Sequence, residues 1–151
     1  MNLIEYFKNS MLEAFPILFE EEITFKEQTL GSGVILSMGV AVVVGITGNK
    51  KGRVLVDMEL QTAERLGKVL APDLDDEDFP LFAAAELCNI VAGGATTSIN
   101  NLNRELGLRL APPSIFSGIQ PKIYSPNLQT HVMSFGTSYG MINLYVGLAG
   151  E

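Results

Sequence analysis

The sequence predicts a single α/β (α+β) domain, in which amphipathic helices accompany two groups of strands. Three segments have apolar residues at intervals of three and four, the pattern of helices that bury one face: residues 2–19, 62–70 and 79–106. β-branched and alternating residues dominate two other regions, residues 23–60 and 119–149. A chain of 151 residues, 47% of them hydrophobic, has the usual size of one domain and can bury a substantial core.

Composition and charge argue against several classes of partner. The net charge is -7, with 10 basic residues and no run rich in Lys or Arg, which is a poor match for nucleic acid or an anionic membrane. Cys88 is the single cysteine, so an intrachain disulfide is excluded. The N-terminus lacks the pattern of a signal peptide, and the longest apolar stretch, residues 38–46, is far below the roughly 20 residues that span a bilayer. We expect a soluble, cytoplasmic protein with no nucleic-acid or membrane partner.

The first part of the chain is predicted to form a helix over residues 2–19 and then three strands. The strands cover residues 23–26, 34–47 and 53–59. Residues 48–52 separate the last two strands and begin and end with glycine, which favours a hairpin. They do not form a phosphate loop, because the Gly-Lys-Ser/Thr ending is missing and the segment joins two strands.

A short helix and an acidic stretch come next. Thr62 is predicted to be the N-cap of the helix over residues 62–70, and Pro72 follows the end of that helix. Five of residues 73–78 are acidic, and acidic side chains complement the electropositive N-terminus of a following helix. The stretch lacks the spacing and the central glycine of a calcium-binding loop, so we interpret it as a capping segment.

The C-terminal third is predicted to be sheet. Pro112 and Pro113 interrupt the chain, residues 119–149 alternate as strands do, and residues 135–140 are typical of a turn between two long strands.

Two isolated side chains do not indicate an active site of their own. His131 lies in an alternating strand without a nearby Cys or acidic cluster, which favours a structural role over a metal ligand or catalytic base. Ser117 lacks the Gly-x-Ser-x-Gly turn of hydrolases.

The helix predicted over residues 79–106, which Gly107 ends, has two different faces. At about 100° per residue, one stripe is apolar and is predicted to pack on the sheet: Leu81, Ala84, Ala85, Cys88, Val91, Ala92, Ala95, Ile99, Leu102 and Leu106. The opposite stripe is small or polar and is predicted to face a partner: Glu86, Asn89, Gly93, Thr96, Thr97 and Asn100. Because Cys88 is on the apolar stripe, we interpret it as a buried side chain and not as a reactive thiol.

Glu86 and Asn89 place a carboxylate and an amide within one turn of the second face. An Asn amide both donates and accepts hydrogen bonds, so it can orient a water molecule beside a phosphoryl group, and phosphoryl transfer depends largely on positioning and charge stabilisation. Glu86 can bind a cation of a partner, and Gly93, one turn further, allows close approach of another backbone. Considered by itself, such a pair is usually part of a solvated helix face, so the spacing alone favours that interpretation over a catalytic one.

The run ELCNIVAG at residues 86–93 resembles the Glu-x-x-Asn signature, with a glycine four residues after the Asn, of the CheC/CheX/FliY phosphatases of bacterial chemotaxis. Other segments resemble the CheX branch in order and spacing: residues 43–48, Gly52, Thr62 with Ala63, and residues 110–118. The resemblance covers nearly the whole chain. Cys88 stands where relatives can have a small residue such as glycine, and we expect little effect because it faces the core.

The resemblance implies long helices packed on an antiparallel sheet, and a phosphatase, hence a hydrolase, that acts on the aspartyl phosphate of a CheY-like response regulator. Asn89 would position the attacking water and Glu86 would contact a lysine of the receiver. Mg²⁺ would belong to the receiver, so the chain would need no metal or cofactor of its own. Glu5 and Asn9 have the wrong spacing for a second signature, which leaves one active face per chain. The resemblance also implies a homodimer, which would cover an exposed sheet edge.

Two other functions remain open at this stage. A non-catalytic CheX-like module could bind a receiver or a flagellar-switch protein, but the presence of both Glu86 and Asn89 favours the phosphatase. A small-molecule sensor domain would need a lined apolar pocket.

Overall fold

The computed structural model describes residues 2–31, 33–73, 79–118, 122–124 and 128–151, which form three helices and nine strands. The helices are α1 (Ile4–Phe19), α2 (Leu60–Leu70) and α3 (Phe79–Leu102). The strands are β1 (Ile23–Gly31), β2 (Val34–Leu36), β3 (Val40–Thr47), β4 (Gly52–Met58), β5 (Arg109–Leu110), β6 (Ser114–Ser117), β7 (Lys122–Tyr124), β8 (Thr130–Thr137) and β9 (Gly140–Leu148). A 3₁₀ turn, Arg104–Leu106, lies between α3 and β5.

Seven strands form one antiparallel sheet in the order β1-β8-β9-β4-β3-β5, and β6 pairs with the same edge of β3 as β5 does. β2 and β7 form a separate two-stranded ribbon. Two hairpins, β3–β4 and β8–β9, supply the four central strands. The prediction of helices packed on an antiparallel sheet is therefore confirmed.

The main core lies between one face of the sheet and all three helices, with α3 on β3 and β4 and in contact with both α1 and α2. Its largest fully buried side chains include Phe7, Phe15, Phe19 and Phe135. The ribbon of β2 and β7 covers the other face over a smaller apolar cluster: Ile35, Ala41, Leu55 and Ile123. No helix in the described part of the chain is both long and apolar enough to cross a bilayer.

The predicted N-cap of the second helix is wrong. α2 begins at Leu60, and the N-cap position is Glu59. Thr62 lies inside the helix and is 4% exposed. It packs against the first residue of β9, where a Cβ added to Gly140 would meet the Thr62 hydroxyl. The threonine is therefore a packing residue and does not cap the helix.

The strand predicted over residues 34–47 is two strands. The chain turns a corner at residues 37–39, where Asp57 accepts hydrogen bonds from the Ser37 hydroxyl at 2.6 Å and the Met38 N–H at 2.9 Å. These bonds replace ladder bonds at the corner. β2 therefore leaves the main sheet and pairs with β7.

The helix predicted over residues 79–106 ends at Leu102, and Gly107 follows the 3₁₀ turn with a left-handed φ of 52°. The helix stops before Asn103, whose backbone is not helical (φ -138°, ψ 70°). In the last turn of α3, the Asn100 amide nitrogen donates to the Leu108 carbonyl at 2.9 Å and its amide oxygen accepts from the Leu108 N–H at 2.8 Å. Leu102, the last residue of α3, is 64% exposed. Its predicted place in the core is wrong.

Both predicted hairpins are confirmed. β3 and β4 are joined at residues 48–51, and β8 and β9 at Ser138 and Tyr139. Gly48 has a φ of 116°, and a Cβ there would lie 2.5 Å from the Gly107 carbonyl oxygen, so only glycine fits this approach. The capping role predicted for the acidic stretch concerns residues 74–78, and part of the predicted C-terminal sheet covers residues 119–121 and 125–127. These lie outside the described residues.

Candidate active site on helix α3

Buried contacts on the sheet side fix the rotation of α3. The Cys88 thiol is fully buried and donates to the Val42 carbonyl of β3 at 3.6 Å. Burial raises the pKa of this thiol to about 12. The thiol is therefore inert, as predicted. Because Cys88 points at the sheet, the next residue, Asn89, is rotated by about 100° toward the helix surface.

Helix α1 fixes the same part of α3 from the side. The buried Ser10 hydroxyl of α1 donates to the Val91 carbonyl at 2.8 Å. A Cβ added to Gly94 would lie 2.5 Å from the Ser10 hydroxyl, so the two helices approach closely at this glycine. A groove of about 220 Å³ runs beside this contact and is lined mainly by polar residues: Tyr6, Asn9, Ser10, Glu13, Gly94 and Ser98. It is not the apolar pocket that a small-molecule sensor requires.

Glu86, Asn89, Gly93 and Thr97 lie on the side of α3 that faces away from the sheet. Glu86 and Thr97 are exposed, while Asn89 and Gly93 are half-buried. Within the described residues, neither the Glu86 nor the Asn89 side chain has an ion-pair or hydrogen-bond partner. The structure thus brings the carboxylate and the amide together on one face, and both are available to another molecule.

Two residues predicted on this face do not belong to it. Thr96 is 5% exposed, and its hydroxyl donates to the Ala92 carbonyl at 2.9 Å. Asn100 is held by Leu108. The face of α3 that is open to a partner is narrower than predicted, because the sheet and both neighbouring helices bury the rest of the helix. These elements also cover Ala83 and Leu87, which lie outside the predicted apolar stripe.

Gly93 differs from Gly94 in its surroundings. A Cβ added to Gly93 would meet no atom within 4 Å in the described structure, and its φ is not left-handed. Glycine in the middle of a helix lowers stability by roughly 0.5–1 kcal/mol relative to alanine. Neither packing nor backbone conformation requires glycine at this position, whereas Ser10 requires a small residue at 94.

Phe82 also lies on this face, although the face predicted from the sequence did not include it. It is 58% exposed and stands four residues before Glu86. The spacing of four residues could have predicted this position, since residues i and i+4 are neighbours on a helix surface.

The other sequence candidates lie elsewhere. His131 on β8 is half-buried, and its Nε2 has no hydrogen-bond partner among the described residues. Ser117 is exposed at the end of β6. Three strands of the sheet separate β8 from β6, so these side chains do not form one site. No group of three or more His, Cys, Asp or Glu in the described parts of the chain is placed to hold a metal ion.

The sequence profile of the family described as chemotaxis phosphatase CheX matches residues 40–135. Comparison with curated protein sequences finds no match. Among solved structures, a chemotaxis protein CheX from Desulfovibrio desulfuricans has a TM-score of 0.87 at 20% identity, covering 98% of this chain and 99% of that chain. A CheC-like superfamily protein from a Shewanella species has a TM-score of 0.85 at 22% identity, covering 99% of this chain and 100% of that chain.

A third solved structure is the CheX-CheY-BeF₃-Mg²⁺ complex from Borrelia burgdorferi, which has a TM-score of 0.74 at 23% identity and covers 97% of each chain. At these identities the structural likenesses show the fold. The profile match is independent of them, and it spans well over half of the chain, including Glu86, Asn89 and Gly93. This chain therefore belongs to the CheX family of chemotaxis phosphatases.

Proposed function

We propose that this chain dephosphorylates the aspartyl phosphate of a CheY-like response regulator through Asn89 and Glu86. The observation that carries the proposal is the joint presentation of these two side chains on one face of α3, with neither engaged by the described residues. Membership of the CheX family supports phosphatase activity. The Borrelia complex of CheX with CheY supports the choice of partner.

In the proposed reaction, Asn89 orients a water molecule toward the phosphorus atom. The water oxygen forms the new P–O bond, the bond between phosphorus and the aspartyl oxygen breaks, and phosphate leaves with the aspartate restored. The Asn89 amide oxygen accepts a hydrogen bond from the water, and the amide N–H donates to a phosphoryl oxygen. An amide is too weak to act as a base, but positioning supplies most of the catalysis in phosphoryl transfer. The Mg²⁺ that neutralises phosphoryl charge belongs to the receiver.

Glu86 is proposed to fix the docking register. Its exposed carboxylate is one turn from Asn89 and can form a charge-assisted hydrogen bond with a lysine of the receiver. Desolvation in the complex would strengthen this bond relative to the same pair in water. Gly93 is proposed to contribute by lacking a side chain, which lets the receiver backbone come close to α3.

The first test replaces the amide. Asn89→Ala should abolish the accelerated release of phosphate from a phosphorylated CheY-type receiver while largely preserving receiver binding, because the amide acts on the water and most of the docking surface remains. Asn101→Ala is the matched control, since Asn101 is an exposed asparagine on the same helix about 18 Å away along the axis. Wild-type dephosphorylation by Asn89→Ala would contradict the amide mechanism.

The second test replaces the carboxylate. Glu86→Ala should lower binding and rate together, at a cost on the order of 2 kcal/mol if the pair with the receiver lysine is desolvated. Glu64→Ala, at an exposed glutamate of α2, provides the control for a general change of charge. Thermal unfolding should shift little, because exposed substitutions typically change stability by about 0.5 kcal/mol or less. A wild-type chain that binds the receiver without accelerating phosphate release would instead favour the non-catalytic docking module.

A further inference from the structure

Phe82 is a large aromatic side chain left open to solvent beside the proposed site. It is 58% exposed and lies near the start of the 24-residue helix α3. A single exposed apolar side chain is common on protein surfaces. The position of Phe82 relative to the Glu-x-x-Asn pair gives it significance.

Phe82, Glu86, Asn89 and Gly93 form one row along α3. Their spacings of four, three and four residues keep the row within about 60° of the helix circumference over roughly 16 Å. Side chains on a helix lean toward its N-terminus, so the Phe82 ring extends the row beyond Glu86. Ala84 and Cys88, on the opposite side of the same turns, are fully buried. A molecule that engages Glu86 and Asn89 therefore meets the Phe82 ring on the same surface.

The chemistry of the row is incomplete without an apolar contact. Glu86 supplies one ionic contact to the proposed complex, Asn89 supplies one amide and Gly93 supplies no side chain, so none of the three buries a large apolar area. Interfaces gain most of their binding energy from a few anchors, and aromatic side chains are prominent among them. Phe82 is the aromatic side chain of α3 that is available for this purpose among those the structure describes.

We propose that Phe82 is the hydrophobic anchor of the receiver complex, and that it inserts into an apolar depression about one helical turn from the receiver lysine bound by Glu86. This proposal rests on the proposed function and deepens it. It assigns to the partner an apolar surface next to its phosphorylation site. Receivers that lack that surface are discriminated against even if they carry the same catalytic residues.

The test compares Phe82→Ala, Phe82→Leu and Leu102→Ala with wild type. Each CheY-type receiver of the host organism is activated with BeF₃⁻ and Mg²⁺, and its dissociation constant is measured by calorimetry. Phe82→Ala should weaken binding by about tenfold or more, because removing an exposed aromatic anchor forfeits its burial in the complex. Phe82→Leu should retain part of the affinity. Leu102→Ala should bind as wild type does, because Leu102 is similarly exposed but lies at the far end of α3.

Steady-state dephosphorylation provides the second readout. Phe82→Ala should raise KM by a similar factor and retain kcat at saturating receiver, whereas Asn89→Ala should lose kcat. Equal dissociation constants for wild type and Phe82→Ala would overturn the anchor and leave the proposed function standing. A wild-type chain that binds but does not hydrolyse would contradict the proposed function, and the binding comparison would still decide on the anchor. If the wild type binds no receiver, both are wrong.

The stability of the isolated variant gives a further check. Thermal unfolding of Phe82→Ala should match that of wild type within about two degrees, since an exposed ring contributes little to the isolated fold. A fall of several degrees would show that Phe82 is packed in the free protein and would overturn its role as an anchor.

Discussion

At the scale of single residues, Gly93 and Gly94 are adjacent glycines with different physical roles. Packing within the chain itself requires glycine at position 94, because the Ser10 hydroxyl occupies the space that a side chain would fill. Gly93 has open space in front of it and an ordinary helical backbone. Glycine at position 93 therefore destabilises the helix, and no contact in the described structure requires it. We expect the glycine to favour the complex, because a partner backbone can occupy the space that a side chain would fill.

Gly93→Ala should raise stability and lower docking at the same time. The free energy of unfolding should increase by about 0.5–1 kcal/mol from helix propensity, while receiver affinity and dephosphorylation should fall because the methyl group separates the two backbones. Urea unfolding and receiver titration measure the two effects. Gly94→Ala is the control and should be less stable than Gly93→Ala by about 1 kcal/mol or more, because the Ser10 hydroxyl must leave the Val91 carbonyl. Unchanged receiver affinity in Gly93→Ala would remove the docking role of this position.

At the scale of elements, a buried carboxylate attaches the β2–β7 ribbon to the main sheet. Asp57 on β4 is fully buried and binds Ser37 and Met38 at the corner between β2 and β3. Nearby, the Arg53 guanidinium of the same strand donates to the Tyr124 carbonyl of β7. Burial raises the pKa of Asp57, although the hydrogen bonds from Ser37 and Met38 oppose that effect.

Asp57 should make stability depend on pH in an identifiable direction. Because its pKa is higher in the folded chain than in the unfolded chain, the folded chain holds the proton more tightly. The contribution of Asp57 to the free energy of unfolding should be largest below the ordinary aspartate pKa of about 3.9 and should fall as pH rises through the folded pKa. Urea unfolding of wild type and of Asp57→Asn at a series of pH values, from about 3.5 to about 7, measures this contribution to the free energy of unfolding. The stability of wild type relative to the variant should decrease as pH rises, and a difference independent of pH would contradict the prediction.

At the scale of the whole molecule, the sheet has an open edge at β6 that carries exposed apolar side chains. Ile115 is 37% exposed and Phe116 is 42% exposed, and within the described residues no strand pairs with the outer side of β6. An apolar edge of this kind is a template for pairing with another chain. The homodimer stays a prediction. We expect two copies of the chain to associate through the β6 edge.

Sedimentation at micromolar concentration should show a dimer for wild type and a monomer for Phe116→Asp, because a charge at the paired edge opposes association. Thr29→Asp places the same charge on β1, the opposite edge of the sheet, and should leave the dimer intact. A monomeric wild type would contradict the homodimer. A dimer lost only in Thr29→Asp would move the interface to β1.

The amino-acid sequence determined the three helices and the two hairpins, because the periods of 3.6 and 2 are local properties of the chain. The corner between β2 and β3 and the short strands β5 and β6 were not predicted. The sequence also determined that Cys88 and Asn89 point in different directions on α3, since adjacent helical residues differ by about 100°. The arrangement of Glu86, Asn89 and Gly93 followed from spacing, and the CheX family followed from the residues around it.

The tertiary structure decided how much of α3 is covered and where it ends. An amphipathic period reports the average direction of the core, but packing by the sheet and two helices widened the buried arc to include Thr96. The helix ends early because Asn103 leaves the helical backbone conformation. The chain then returns so that Asn100 pairs with Leu108, a contact between residues eight positions apart that no local pattern reveals. The exposure of Phe82 and of Leu102, near the two ends of α3, was likewise decided by which other elements pack against the helix. Local periodicity is a property of one helix, whereas exposure depends on every element that packs around it.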